Sequence, residues 1–494
     1  MGSLVLEVPV RRSAASTRGL ALPLAFTLAL AAFLFLDSVR QNRALTWTFA
    51  GAAAALLAWN AALLALAVRS RRTLSVEIVL RKQHYLQACI QGSLLVYWGW
   101  YWRQVYDSAY LIAAQLLFAY AFDMLLSWSR RDDYALGFGP FPVVFSMNLF
   151  LWFKPDWFYM QFLMVAVGFA AKELIRWDKD GRSVHIFNPS SFPLAVFSLA
   201  LIVTRTTDLT WGQDIATTLF YPPHMYLALF LFALPGQYLF GVTTMTMSAV
   251  VTTYLFGLLY FATTGIYFFY DSYIPIAVFL GMHLLFTDPA TSPRTDLGRV
   301  IFGVLYGIST VALYALLGHL GAPTFYDKLL QIPILNLSIK LIDQFARSEV
   351  LQRIDPTAVL RSLTPRRRHL AYMSVWAMLF AIMSAVQGVG DSHPGQWLPF
   401  WQQACAAGRP YACNYLESVM SGDCDRGSAW ACDELAILQD DAGTYRPRTL
   451  ASAGAEDYPI VLRGSKGPLR DVSRTGLEAL ACREGWPGTC DLRR

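Results

Sequence analysis

Charge is what this chain has least of: 15% of its 494 residues are Asp, Glu, Lys or Arg, against 55% apolar and 14% aromatic. Charge that sparse, spread between long apolar runs, excludes an ordinary soluble domain and leads to an all-α polytopic membrane protein in contact with the lipid bilayer. Cysteine is nearly missing as well, since Cys89 stands alone before Cys405. The signatures of soluble catalysis are also absent: there is no Walker loop, dinucleotide glycine fingerprint, His-Glu-x-x-His or nucleophile elbow. The net charge of +6 does not indicate a nucleic-acid partner, because the basic residues fall in short clusters between apolar runs. Clusters placed in that way are topology signals.

Hydropathy predicts about thirteen spans near the ~20 residues that a helical crossing needs. They are 20–38, 46–68, 84–104, 107–127, 138–153, 157–174, 190–204, 222–240, 241–262, 268–286, 298–320, 331–345 and 369–388. Arg11, Arg12 and Arg18 precede the first, so the N-terminus is expected in the cytoplasm. Alternation then puts every further basic cluster on that side: Arg69 to Arg72 with Arg81 and Lys82, Arg130 and Arg131, Lys172 to Arg182, Arg294 to Arg299, and Arg347 to Arg368. An odd number of crossings sends the C-terminus to the extracytoplasmic side of an inner (plasma) membrane.

The tail carries six of the seven cysteines as three pairs with one spacing: Cys405/Cys413, Cys424/Cys432 and Cys482/Cys490. Each pair reads Cys-x-x-Gly-x-x-x-x-Cys, with Gly408, Gly427 and Gly485 in the same place. In an exported segment paired cysteines imply disulfides. Zinc is the alternative, though no histidine lies among these residues and the step is not that of a zinc knuckle.

Five segments follow. Residues 1–80 form a two-helix membrane anchor, 81–346 a membrane core, 347–368 a basic cytoplasmic loop, 369–388 the last crossing and 389–494 an extracytoplasmic cysteine-rich tail. Within the tail, 441–480 has no clear periodicity and is expected to be an irregular linker.

Two proline loops stand out in the core. Thr287-Asp288-Pro289 with Thr291 and Ser292 is the chemistry of an ordered turn between spans. Phe187-Asn188-Pro189 mirrors it, and Asn188 is placed to cap the next helix with Pro189 at its first position, leaving a helix start suited to an anionic group. Polar residues inside spans cost a few kcal/mol unless paired or facing a cavity. Asp123, Asp271, His283, Asn336, Lys340 and Asp343 are therefore candidates for an ion or proton pathway. Asn336 and Lys340 share a helix face, and Lys340 can reach Asp343. Alternatively, Lys340 and Asp343 snorkel to the surface.

Phe187-Asn188-Pro189, Thr287-Asp288-Pro289, Phe302-Gly303-Val304-Leu305-Tyr306-Gly307 and Pro333-Ile334-Leu335-Asn336 leading to Asp343 occur in that order. Together they resemble the NqrB/RnfD family, the membrane subunits of the sodium-pumping NADH:quinone reductase and of the Rnf complex, over roughly residues 80–346 and ten helices. A branch of membrane proteins encoded beside enediyne biosynthesis genes is similar too. The resemblance implies a flavin-carrying redox subunit, rather than a stand-alone enzyme, that works with partner redox subunits and is coupled in some members to ion translocation. NAD(P)H oxidation would then fall to another subunit, and quinone is a further cofactor candidate. In the family a Ser-Gly-Ala-Thr threonine holds FMN through a phosphoester. Here Asp214-Ile215-Ala216-Thr217-Thr218 stands in that loop, which places Thr217 or Thr218 at the flavin position and implicates Asn188, Pro189, Thr287, Asp288 and Pro289 in cofactor binding.

Residues 401–440 resemble cysteine-rich Sel-like repeats, pairs of antiparallel helices that usually bind proteins through a concave face. The tail is expected to dock on its own membrane core or on an extracytoplasmic partner. Two other functions fit the same chain: a small-solute transporter or channel, and a membrane anchor that displays the tail.

Overall fold

In the computed structural model the described residues are 10–13, 20–179, 181–386, 389, 393–440, 445–462 and 473–490. The chain is mostly helical, and a helix lies over each of the thirteen apolar stretches. Four of them, Arg43–Arg69, Ala109–Trp128, Thr243–Thr264 and Asp296–His319, are long and apolar enough to cross a membrane by length and composition.

Two stretches that hydropathy draws as full spans are only partly helical. Pro140–Asn148 and Ile276–Leu284 have 9 residues each. Nine residues rise about 14 Å, half of the ~30 Å hydrocarbon core. Each short helix is third in a run of five. Lys82–Tyr101, Ala109–Trp128, Pro140–Asn148, Phe158–Leu174 and Ser191–Thr204 have 20, 20, 9, 17 and 14 residues. Met225–Phe240, Thr243–Thr264, Ile276–Leu284, Asp296–His319 and Ile332–Ala346 have 16, 22, 9, 24 and 15.

The all-α expectation also misses five short strands. Val10–Ser13 pairs antiparallel with Ser75–Ile78, which pairs parallel with Asp133–Leu136. Arg176–Lys179 and Arg182–His185 form a hairpin. Strand pairing satisfies backbone groups that the helices leave open at their ends.

The chain divides into two compact units. The first comprises 1–217, 229–250 and 280–376, and the second 218–228, 251–279 and 377–494. Within the first, the three-stranded sheet ties the N-terminal segment to residues 75–78 and 133–136. Arg131 Nη1 pairs with Glu173 at 2.9 Å, Lys179 Nζ donates to Ser292 O at 2.8 Å, and Arg368 Nε pairs with Asp296 at 3.3 Å. These links gather the basic segments at one end of the unit. Arg18 lies outside the described residues.

The second unit is built on three staples. Disulfides Cys405–Cys413, Cys424–Cys432 and Cys482–Cys490 each close a helix end onto residues eight positions further on. Gly408, Gly427 and Gly485 have φ of 76°, 98° and 83°, the left-handed conformation that ends a helix and that glycine adopts without strain. Each staple is worth roughly 2–3 kcal/mol for so short a loop. Trp401, Leu416, Met420, Trp430 and Trp486 form the tail's core together with Ile266 and Tyr267 of the connection before Ile276–Leu284. Tyr270 stacks on Tyr415 at 4.2 Å. The tail thus docks on a connection of its own chain. Of the expected linker, 441–444 and 463–472 lie outside the described residues, while Tyr458–Val461 and Arg474–Arg483 are helical.

Candidate functional site

The two proline loops, far apart in sequence, meet in the first unit. His185, at the end of the hairpin, places Nε2 3.2 Å from Asp288 Oδ2. Asp288 also accepts from the Ala290 amide at 3.1 Å and from the Thr291 hydroxyl at 3.1 Å. Burial pushes the Asp288 carboxyl up, but the His185 ring, the Ala290 amide and the Thr291 hydroxyl outweigh it and hold the group below its ordinary value.

Asn188 joins three segments. Its Nδ2 donates to Leu285 O at 3.0 Å, its amide donates to Asn336 Oδ1 at 3.3 Å, and Asn336 Nδ2 donates to Thr291 O at 3.1 Å. Asn188 Oδ1 accepts from the Ser190 amide and hydroxyl at 2.9 and 2.8 Å and from the Ser191 amide at 3.2 Å. The capping role is the expected one, but the helix starts at Ser191, so Pro189 precedes it rather than opening it. Those two amides are spent on Asn188 and do not offer themselves to an anion. Pro189 O sits so close to Gly168 that a Cβ there would lie 2.3 Å from it. Glycine lets the loop seat directly on the helix Phe158–Leu174.

Asp343 completes the arrangement from Ile332–Ala346. It accepts from the Arg294 amide at 2.9 Å, the Thr295 amide at 3.0 Å and the Thr295 hydroxyl at 2.9 Å. Lys340 does not reach it. Its Nζ lies 4.6 Å from the centre of the Trp177 ring instead, and the aspartate is taken by backbone amides, which present fixed donors without side-chain entropy. Gly303, from the third motif, approaches Met245 O so closely that a Cβ would lie 2.2 Å from it, so this motif serves helix packing.

The remaining pathway candidates are scattered. Asp123 accepts from Tyr134 OH at 3.0 Å and lies 3.9 Å from Lys172 Nζ. Asp271 sits in the second unit, in a connection rather than a helix, and accepts from Ser272 Oγ at 3.1 Å. His283 is buried, and Thr287 Oγ1 donates to its carbonyl at 3.0 Å.

Thr217 lies at the far end of the first unit from the proline loops, because the 14 residues of Ser191–Thr204, about 21 Å of helix, separate them. It is exposed near the end of the seven-residue helix Gly212–Thr218, with its hydroxyl donating to Gln213 O and Asp214 O at 3.1 Å, whereas Thr218 is buried. The base of that helix is seated on aromatics. Trp211 packs edge-to-face on Trp152 at 5.3 Å, its amide donates to Trp152 O at 2.8 Å, and Phe325 touches Gly212. A phosphoester fits Thr217 in access, and the partly exposed rings of Trp102 and Trp211 offer a flat apolar surface within the same cluster. Asp214, one turn back, adds a charge of the same sign as a phosphate.

Two buried groupings escape sequence reasoning. Asp327 and Lys328, 1% and 3% exposed, pair at 2.9 Å beside Phe325. Burial pushes the Asp327 carboxyl above its ordinary value despite the lysine. Gln115, Asn148 and Gln161, all fully buried, bond to one another at 2.8 to 3.1 Å where Pro140–Asn148 ends. Their signal is present, polar side chains inside apolar stretches, but amides in such stretches draw less notice than charges. Among the described residues no group of three His, Cys, Asp or Glu is placed to hold a metal ion.

No family model matches the chain, and no curated protein or solved structure matches it.

Proposed function

We propose that the chain is the membrane-embedded subunit of a flavin-dependent electron-transport complex on an NqrB/RnfD-like scaffold. The observation that carries this reading is convergence: Asn188, Asp288, Asn336 and Asp343, from motifs scattered along the core, belong to one bonded arrangement of loops. Short motifs matched by chance have no reason to meet. On this reading the thirteen helices lie in the inner membrane, two of them as half-crossings. The basic end faces the cytoplasm, the N-terminus lies inside and the tail outside.

Thr217 is then the residue that carries FMN through a phosphoester, and the flavin supplies the redox chemistry. The chain's own part is to anchor it outside the bonded loops, against the tryptophan-lined base of the Gly212–Thr218 helix. Partner subunits supply electrons and, with quinone, receive them.

The test is in-gel flavin fluorescence of the full-length, SDS-denatured protein co-expressed with a flavin transferase, followed by peptide mass mapping of residues 205–222. An FMN adduct that Thr217→Ala abolishes and Thr218→Ala leaves in place supports the reading. No adduct, while a control family member is labelled in the same cells, overturns covalent flavin.

A small-solute transporter is the second reading, and the repeated pattern of helix lengths, with a half-crossing third in each five, favours it. Such a protein moves its solute into vesicles without any electron donor. The redox subunit does not.

A further inference from the structure

Gln237 is 2% exposed, and neither Oε1 nor Nε2 of its carboxamide has a hydrogen-bond partner among the described residues. A buried polar group left in that state costs about 1–3 kcal/mol. The backbone around it is held firmly: Gln237 O accepts from the Gly241 amide at 2.9 Å, and His369 Nε2 lies 3.1 Å away. The side chain lines a cavity of about 20 Å³ together with Gln87, Ile90, His283, Leu284 and Thr287. One water needs roughly 10–15 Å³ measured in this way and two to four polar partners. A carboxamide offers an acceptor and donors side by side, and water answers both. Nothing much bulkier fits.

We propose that this cavity is a binding site for ordered water, anchored by both ends of the Gln237 carboxamide and reaching the His283 ring. The water serves the buried imidazole in proton exchange: the ring gives up one proton and takes back another, so net charge and redox state are unchanged. The Asp288 turn begins one residue beyond Thr287, which brings the cavity to the edge of the bonded loops. The site stands independently of the electron-transfer reading.

X-ray hydroxyl-radical footprinting of the full-length protein in lipid nanodiscs tests this, because bound water generates radicals beside the side chains it touches. Leu284 and Ile90, which line the cavity, should be labelled several-fold faster than Leu285 and Leu280, which are buried away from it. Gln237→Leu should bring both down to the rate of those controls. Equal labelling of Leu284 and Leu285 in the wild-type protein overturns the water site, and that comparison needs no variant to fold. Fast labelling that persists in Gln237→Leu overturns the anchoring role of Gln237. As a second measurement, Gln237→Met lowers the unfolding midpoint if the amide holds water, and raises it if the amide is dry and merely unsatisfied.

Discussion

Asp288 and Asp327 belong to the same unit and are treated in opposite ways. Asp288 lies among donors, the His185 ring, the Ala290 amide and the Thr291 hydroxyl, and its carboxyl is held below the ordinary range. Asp327 is more deeply buried, has Lys328 as its neighbour, and is pushed above that range by desolvation. The difference teaches what each site is for. Around Asp288 polar groups are spent on one another, so the arrangement holds loops in place. Around Asp327 a charge is kept in an expensive position with few hydrogen bonds, which is how groups that change state are usually held.

The largest effect should come from breaking the Asp327–Lys328 pair. Asp327→Asn leaves Lys328 buried and unpaired and should cost about 3–5 kcal/mol, whereas Asp327→Asn with Lys328→Met should recover most of that loss. Thermal unfolding in detergent measures both, and a double variant as unstable as the single one would remove the contrast. Around the proline loops no double replacement should rescue. Asp343→Ala strands the Arg294 and Thr295 amides and should cost about 3 kcal/mol.

Asn188→Ala and Asn336→Ala should each cost about 1–3 kcal/mol. Because both side chains hold the segment around the Asp288 turn, Asn188 at Leu285 O and Asn336 at Thr291 O, the double variant should lose less than the sum, with a coupling of about 0.5 kcal/mol or more. Strict additivity would separate the two loops.

Acid should then divide the two sites. A carboxyl held low in the folded state adds stability that is present above its unfolded value and lost as pH falls through the folded one. Hydrogen exchange at the Ala290 amide should therefore accelerate below the usual carboxylate range, and Asp288→Asn should abolish that dependence. A raised carboxyl works the other way: its contribution is present at low pH and lost as pH rises through the folded value. Amides around Asp327 should become less protected as the pH climbs above the usual range. The smallest effect belongs to Lys340→Ala, about 0.5–1 kcal/mol for an exposed ammonium on an indole ring. A loss of several kcal/mol would restore its ion pair with Asp343.

Much of the tail was legible in advance. Three cysteine pairs with glycine at one offset are a local pattern, because a staple across a helix end closes over eight residues and needs nothing from elsewhere. The special character of Asn188 and Asp288 was legible for the same reason, since prolines and capping side chains act on their neighbours. That the two meet was not, as 100 residues separate them and only packing decides which helix ends become adjacent. Lys340 shows the limit most clearly. Spacing allows it to reach Asp343, yet the arrival of Arg294 and Thr295 from another helix settles the competition.

The sequence by itself determined the apolar helical character, the clustering of basic residues between apolar stretches and the stapled helix pairs of the tail, because hydropathy, charge and short loops are local properties. Tertiary structure decided the rest. Residues 268–275 lie within an expected span, yet they form a connection packed on the tail, and only Ile276–Leu284 is helical. The partners of Asn188 and Asp343 were decided in the same way. Each can bond in many directions, and which bond forms depends on what the fold brings within 3 Å.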